Sequence, residues 1–292
     1  MQLSFESITE DPVHLFEKNN IRVSVLRLDR IHPVISGNKW FKLKYYLEDA
    51  RQQHKKKIVT FGGAWSNHIV ATAAACACEG FSSAGIIRGE TPAVLSASLL
   101  KAQEYGMELH FTNRTDYGEK IIPAVLDHEQ CYFINEGGYG KKGAKGAAGI
   151  LDYCQPGFTH CCCAVGTGTM MAGLVNAVLP EQKVIGISVL KNNLEGEKQV
   201  QQLLNEEKKD WQIVHDYHFG GYAKYTDVLI QFMNEFFSST NIPSDFVYTG
   251  KLFFAVSDMI RDGFFPPGSN LLLVHSGGLQ GNSSLGKGKL IY

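Results

Sequence analysis

HCCCAVGTGTMMAGL (160–174) begins as an unbroken small and apolar run, turns on Gly166, Thr167, Gly168 and Thr169, and continues in small and apolar residues. A short apolar run bounded by glycine reads as a buried strand, and the stretch behind it as a helix. KIVTFGGAWSNH (57–68) repeats the strand, turn and helix order. Outward from these two units, strands are expected at 57–61, 84–88, 108–111, 131–134, 160–165, 183–189 and 270–275. Helices are expected at 39–54, 67–79, 92–105, 170–179, 194–204, 224–238 and 249–262. Such alternation predicts an α/β fold of mainly parallel sheets with helices on both faces. Thr91 and Pro92 are expected as N-cap and first residue of the helix that stops at Gly106. GGYGKKGAKGAAG (137–149) reads as a glycine-rich hinge and domain junction. HKKK (54–57) reads as solvated cations at a helix end.

The chain has 292 residues, room for two units at roughly 150 residues each. Its 28 Lys and Arg against 29 Asp and Glu give a net charge of -1, which offers no field for nucleic acid or an anionic membrane. With 44% hydrophobic and 20% charged residues, the composition is that of a folded globular protein rather than a disordered chain. No apolar stretch approaches the roughly 18 residues of a membrane span. The start, MQLSFESITEDP, is acidic and lacks the apolar centre of a signal peptide, so a cytoplasmic protein is expected. Seven cysteines cannot all pair, and consecutive Cys161, Cys162 and Cys163 must alternate faces. They are expected to be reduced and structural, with Cys76 and Cys78 filling small space in the Ala-rich segment 71–78. No CxxC spacing suggests zinc, and no metal site is expected.

Three turns carry chemistry. In SGNKWFKLKYYL (36–47), Asn38 is the expected N-cap and Lys39 falls in the first helical turn. The helix dipole disfavours an ammonium there, so the amine is easier to deprotonate or to condense with a carbonyl; taken alone, Lys39 reads more readily as a surface lysine. FGGAWSNH (61–68) sets Ser66 and Asn67 at a strand's C-terminal edge, where open α/β sheets bind ligands. Backbone N–H groups, a hydroxyl and an amide suit a carboxylate, although the same residues could simply start a capped helix. Gly166 to Thr169 supply N–H groups and hydroxyls for a phosphate. A dinucleotide site would want a third glycine, where Met171 stands, and an acid after the next strand. The P-loop lysine is also missing. A monophosphate therefore fits better, and a non-enzymatic nucleotide-binding module is disfavoured. A lysine, a carboxylate cradle and a monophosphate cradle together are what an amino-acid enzyme using pyridoxal phosphate requires.

GNKWFKL (37–43), GGAWSNH (62–68), INEGG (134–138), GTGTMMAGL (166–174), GGYAK (220–224), VYTGK (247–251) and PGSNLLLVHSGG (267–278) occur in this order. On them the chain resembles the pyridoxal-phosphate enzymes of the tryptophan synthase β-like fold (fold type II), in the branch of D-cysteine desulfhydrase and 1-aminocyclopropane-1-carboxylate deaminase. The resemblance implies that Lys39, rather than Lys42 or Lys44, is the Schiff-base lysine, with Asn38 near the cofactor's phenolic oxygen. It makes Ser66, Asn67 and His68 the substrate-carboxylate loop, Gly166 to Thr169 a phosphate cup without a dedicated lysine, and Tyr222 and Tyr248 the active-site tyrosines. Thr249 and Ser276 are the hydroxyl types of desulfhydrases where deaminases carry Glu and Leu. A carboxylate at the cofactor's ring nitrogen would favour its protonated form and deepen the electron sink; a threonine does so less, which suits β-elimination over ring opening. Trp65 departs from the smaller or polar residue usual in the family. The implied reaction is β-elimination on a small D-amino acid, D-cysteine to pyruvate, hydrogen sulfide and ammonia, with ring opening of 1-aminocyclopropane-1-carboxylate as the alternative. A homodimer is implied, with residues 1–48 and 140–292 forming a large domain around a small one at 49–139 and the cofactor between them.

Overall fold

The computed structural model describes residues 3–16, 18–126, 128–207 and 210–292, and ten strands among them sort into two sheets. In chain order they are β1 (Glu10–Pro12), β2 (Arg22–Arg27), β3 (Lys57–Gly63), β4 (Ser82–Arg88), β5 (Met107–Thr112), β6 (Cys131–Ile134), β7 (His160–Val165), β8 (Lys183–Ser188), β9 (Trp211–Val214) and β10 (Asn270–His275). One sheet has the order β1-β2-β10-β7-β8-β9 and the other β5-β4-β3-β6. Every pairing is parallel except β1 with β2. The fold is thus α/β with two mainly parallel sheets.

The helices are α1 (Asn38–Gln52), α2 (Asn67–Glu79), α3 (Ala97–Glu104), α4 (Arg114–Gly118), α5 (Lys141–Ala148), α6 (Thr169–Ala177), α7 (Gly196–Gln201), α8 (Asp227–Thr240) and α9 (Thr249–Arg261). β7 is buried along its whole length, with Cys161 and Cys163 in the core beneath α5 and α6 and Cys162 in the core beneath α9. The alternation expected of a strand therefore feeds two cores, one on each face of the large sheet. No disulfide joins the seven cysteines, and Cys76 is buried as expected, but Cys78 is exposed. Ala75 and Cys76 turn inward on α2, and Cys78, two residues on, points away from the sheet.

β1, β2 and β9 were not expected from the sequence. β2 ends in Arg27, a charge that breaks the apolar pattern; the side chain is buried because Asp29 and Asp11 pair with it at 2.7 and 2.9 Å. The helix expected from Pro92 instead begins at Ala97, because the Ser96 hydroxyl caps it by accepting from the Leu99 N–H at 3.2 Å. Thr91 is therefore no cap, while Gly106 does follow the helix end with a φ of 80°. The passage 137–149 is also corrected: its centre is helix α5, not a hinge. A Cβ on Gly146 would stand 1.8 Å from the Phe41 carbonyl oxygen of α1, and one on Gly143 2.1 Å from the Gly138 carbonyl oxygen. These glycines serve close packing of backbone on backbone. HKKK lies beyond α1, and Lys57 pairs with Glu108 across the small sheet.

Among the described residues no helix is long and apolar enough to cross a membrane, and no cluster of three or more acidic, His or Cys side chains could hold a metal.

Candidate active site

The C-terminal ends of the parallel strands from both sheets open into one cavity of about 650 Å³. Each of the three turns singled out in the sequence reaches its wall. Gly37 leads into α1 with φ 65°, and a Cβ there would lie 1.7 Å from the Ser276 carbonyl oxygen. Only glycine permits this approach, which keys the Lys39 turn to the exit of β10 through the Asn38 N–H bond to the same oxygen at 3.2 Å. Gly37, not Asn38, is the N-cap. Asn38 is already helical; its amide accepts from Lys39 Nζ at 2.8 Å and donates to the Met170 sulfur at 3.1 Å. Burial lowers the Lys39 ammonium to about 8, with Asp245 pulling weakly the other way.

Lys42, one turn along α1, also lines the cavity, and burial with Lys39 close by pushes its ammonium well down. Lys44 is not part of the wall. In the sequence Lys42 was visible only as a rival amine, because i and i+3 on a short helix turn do not by themselves say that both face inward.

Ser66 caps α2, its hydroxyl accepting from the Ile69 N–H at 3.4 Å. Asn67 is buried; its side-chain N–H reaches the Gly278 carbonyl at 3.5 Å, and its Oδ1 has no partner among the described residues. His68 is buried with Nε2 2.8 Å from the Thr60 hydroxyl, and that hydroxyl donates onward to the Ile134 carbonyl at 2.9 Å. Thr60 has one proton to give, so His68 Nε2 must be the N–H and Nδ1 the bare acceptor. Burial and the neighbouring lysines push its pKa well down and keep the ring neutral. Among the described residues Nδ1 has no hydrogen-bond partner.

β7 ends at Val165, and Gly168, left-handed at φ 75°, is the N-cap of α6. The first N–H groups of α6 have no acceptor within the helix, and the Thr167 and Thr169 hydroxyls lie 3.0 Å apart beside them. This set of donors fits a phosphate monoester. Tyr248 stands over the turn, its ring carbon 3.3 Å from where a Gly166 Cβ would be. Tyr222 meets Tyr248 edge to face at 6.1 Å, and burial raises both phenols, keeping them protonated. Thr249 does not reach the cavity wall. Its hydroxyl donates to the Asp245 carboxylate at 2.7 Å, inside a buried cap in which Asp245 also accepts the N–H groups of Val247, Tyr248 and Thr249. Ser276, at the exit of β10, is in the wall instead. Asp245, Arg88 and Glu136 were not singled out in the sequence; each takes its meaning from neighbours in other elements.

A family model described as pyridoxal-phosphate dependent enzyme matches residues 12–277. A Thermotoga maritima protein provisionally named 1-aminocyclopropane-1-carboxylate deaminase is 30% identical over 295 residues, covering 91% of this chain and 92% of that protein. The mitochondrial bifunctional D-cysteine desulfhydrase/1-aminocyclopropane-1-carboxylate deaminase of Arabidopsis thaliana is 27% identical, covering 92% of this chain and 76% of that protein. D-cysteine desulfhydrase of Salmonella newport (strain SL254) is 25% identical, covering 87% and 86%. A solved structure described as an ACC deaminase homologue superposes with a TM-score of 0.81 at 24% identity, over 97% of this chain and 92% of its own.

Proposed function

The chain belongs to the pyridoxal-phosphate dependent enzymes, and we propose that it catalyses β-elimination on a small D-amino acid, with D-cysteine giving pyruvate, hydrogen sulfide and ammonia. One observation carries the choice of reaction: the residue in the cavity wall at the exit of β10 is Ser276, and the carboxylates near that exit are committed elsewhere, Asp245 to capping α9 and Asp29 to Arg27. No acid then stands ready to hold a proton on the ring nitrogen, which favours expulsion of a good leaving group over opening of a carbon ring.

When bound, pyridoxal phosphate supplies an electron-withdrawing ring that takes up negative charge from the substrate α-carbon. In this reading Gly166 to Thr169 would hold its phosphate. Lys39 would hold the cofactor and would take the α-proton; an amine held near 8 is a competent base at neutral pH. Asn38, already bonded to Lys39 Nζ, aims that amine. Ser66 and Asn67, with the N–H groups opening α2, hold the substrate carboxylate. His68 has no N–H left for a carboxylate, since Nε2–H is given to Thr60; its part is to brace the loop. Tyr222 and Tyr248, both neutral, carry a proton to the departing sulfur. Thr249 acts on the cofactor only through the cap that positions Tyr248. The proposal also takes residues 49–139 as a small domain closing on 1–48 and 140–292, and a homodimer in the cytoplasm.

Ring opening of 1-aminocyclopropane-1-carboxylate is the second reading, supported by the names of the Thermotoga and Arabidopsis relatives. One panel separates them: pyruvate from D-cysteine, L-cysteine, β-chloro-D-alanine and D-serine, and 2-oxobutanoate from the cyclopropane. Pyruvate from D-cysteine and β-chloro-D-alanine in excess of all else is expected. Efficient ring opening without β-elimination overturns the reading of Ser276.

A further inference from the structure

Arg88 ends β4 and lines the cavity, yet the reaction above gives it no task. Among the described residues its guanidinium has neither an ion pair nor a hydrogen bond; it lies against the Tyr117 ring, 5.5 Å from the centroid. Tyr117 is buried and tied by its hydroxyl to Glu136 at 2.9 Å, so the surface on which the guanidinium rests is fixed. The other edge of the guanidinium faces β3. A Cβ on Gly63 would sit 3.6 Å from an Arg88 Nη, and Gly63 is the last strand residue before the Ser66–Asn67 loop. The charge is therefore poised beside the Ser66–Asn67 loop in the wall of the cavity, and it is felt at Tyr222. Glu136 is the opposing charge on this wall, and its carboxylate accepts from the Tyr117 hydroxyl at 2.9 Å.

A guanidinium held by stacking, with its N–H fork unspent, is a ready receptor for a carboxylate or another oxyanion. We propose that Arg88 binds a second anionic group on the substrate side chain, so that the site also takes small amino acids bearing a side-chain carboxylate or other oxyanion. This deepens the pyridoxal-phosphate reading and rests on it for the position of the substrate.

The test uses the loaded enzyme and isosteric pairs that lack a good leaving group: aspartate against asparagine and glutamate against glutamine, in both enantiomers. Binding is followed by calorimetry and by the visible band of the cofactor. Wild type is expected to bind the acid of at least one pair about tenfold or more tightly than its amide, a preference that 0.5 M salt reduces. Arg88→Gln should bring the ratio below about threefold while binding of the amide and turnover of β-chloro-D-alanine stay as they were; Arg88→Lys should keep part of the preference. Equal affinity for acid and amide in wild type overturns the proposal, as does a preference that survives Arg88→Gln. A loss of β-chloro-D-alanine turnover in wild type would instead strike the elimination reading, and the calorimetric ratio would still decide on Arg88.

Discussion

Lys39 and Lys42 sit one turn apart on α1, both lining the cavity; burial makes each harder to protonate, and Lys39 adds to the effect at Lys42. An amine at about 8 rather than the usual 10.5 of lysine changes how the empty enzyme takes up its cofactor. The neutral fraction at pH 7 is about a tenth and is nearly complete by pH 9. Capture of pyridoxal phosphate by the apoenzyme, timed by its visible band, should accelerate about tenfold between pH 7 and pH 9 and then level off. A rate still climbing steeply above pH 9 would place the lysine at its unperturbed value. Borohydride reduction followed by peptide mapping should find the label on Lys39; finding it on Lys42 would exchange their roles.

At the scale of elements, the turn between β7 and α6 was legible because everything it needs is local: an apolar strand, two glycines and two hydroxyls in sequence. The α5 segment was not. Its glycines look like a hinge in one dimension, and only the neighbouring backbones of α1 and the 136–138 turn show that they are contact points. Gly146→Ala tests this. Alanine is a better helix former by about 1 kcal/mol, but its Cβ would fall 1.8 Å from the Phe41 carbonyl oxygen. Overpacking of about 1–3 kcal/mol should win, lowering Tm by several degrees; an unchanged or raised Tm would mean the two helices part easily. Arg27 shows the same limit differently. A charged strand residue is buried by partners sixteen places earlier and two places later, and no local pattern shows them.

Over the whole molecule, the cavity has walls from both sheets: Ser66 to His68 follow β3 of the smaller sheet, and Gly166 to Thr169 follow β7 of the larger. The individual motifs could be read from the sequence, but their convergence could not, since Arg88 meets the Gly63 turn only by the pairing of β4 with β3. A ligand spanning both walls stabilises the whole chain. Free pyridoxal phosphate at a hundred times its Kd should add about 2.7 kcal/mol. Gly168→Asp should remove most of that gain, because the left-handed φ of 75°, a Cβ 2.9 Å from a Val200 methyl and a charge turned on the phosphate all oppose binding. A full thermal shift in that variant would count against the phosphate cup.

β7 sends three consecutive thiols into two sealed cores, and burial holds each well above its ordinary value, Cys163 at about 12. Polysulfides gather wherever hydrogen sulfide meets air, and they modify proteins by accepting attack from thiolates. Under the proposed β-elimination, sulfide would be released a few residues from this strand, and the cysteines would be its first target if they ionised. Kept as thiols, they would let the sheet that ends in the Gly166–Thr169 turn stand next to that product without being persulfidated by it. Of the seven, the solvent-facing Cys78 on α2 is left as the position where such adducts would gather.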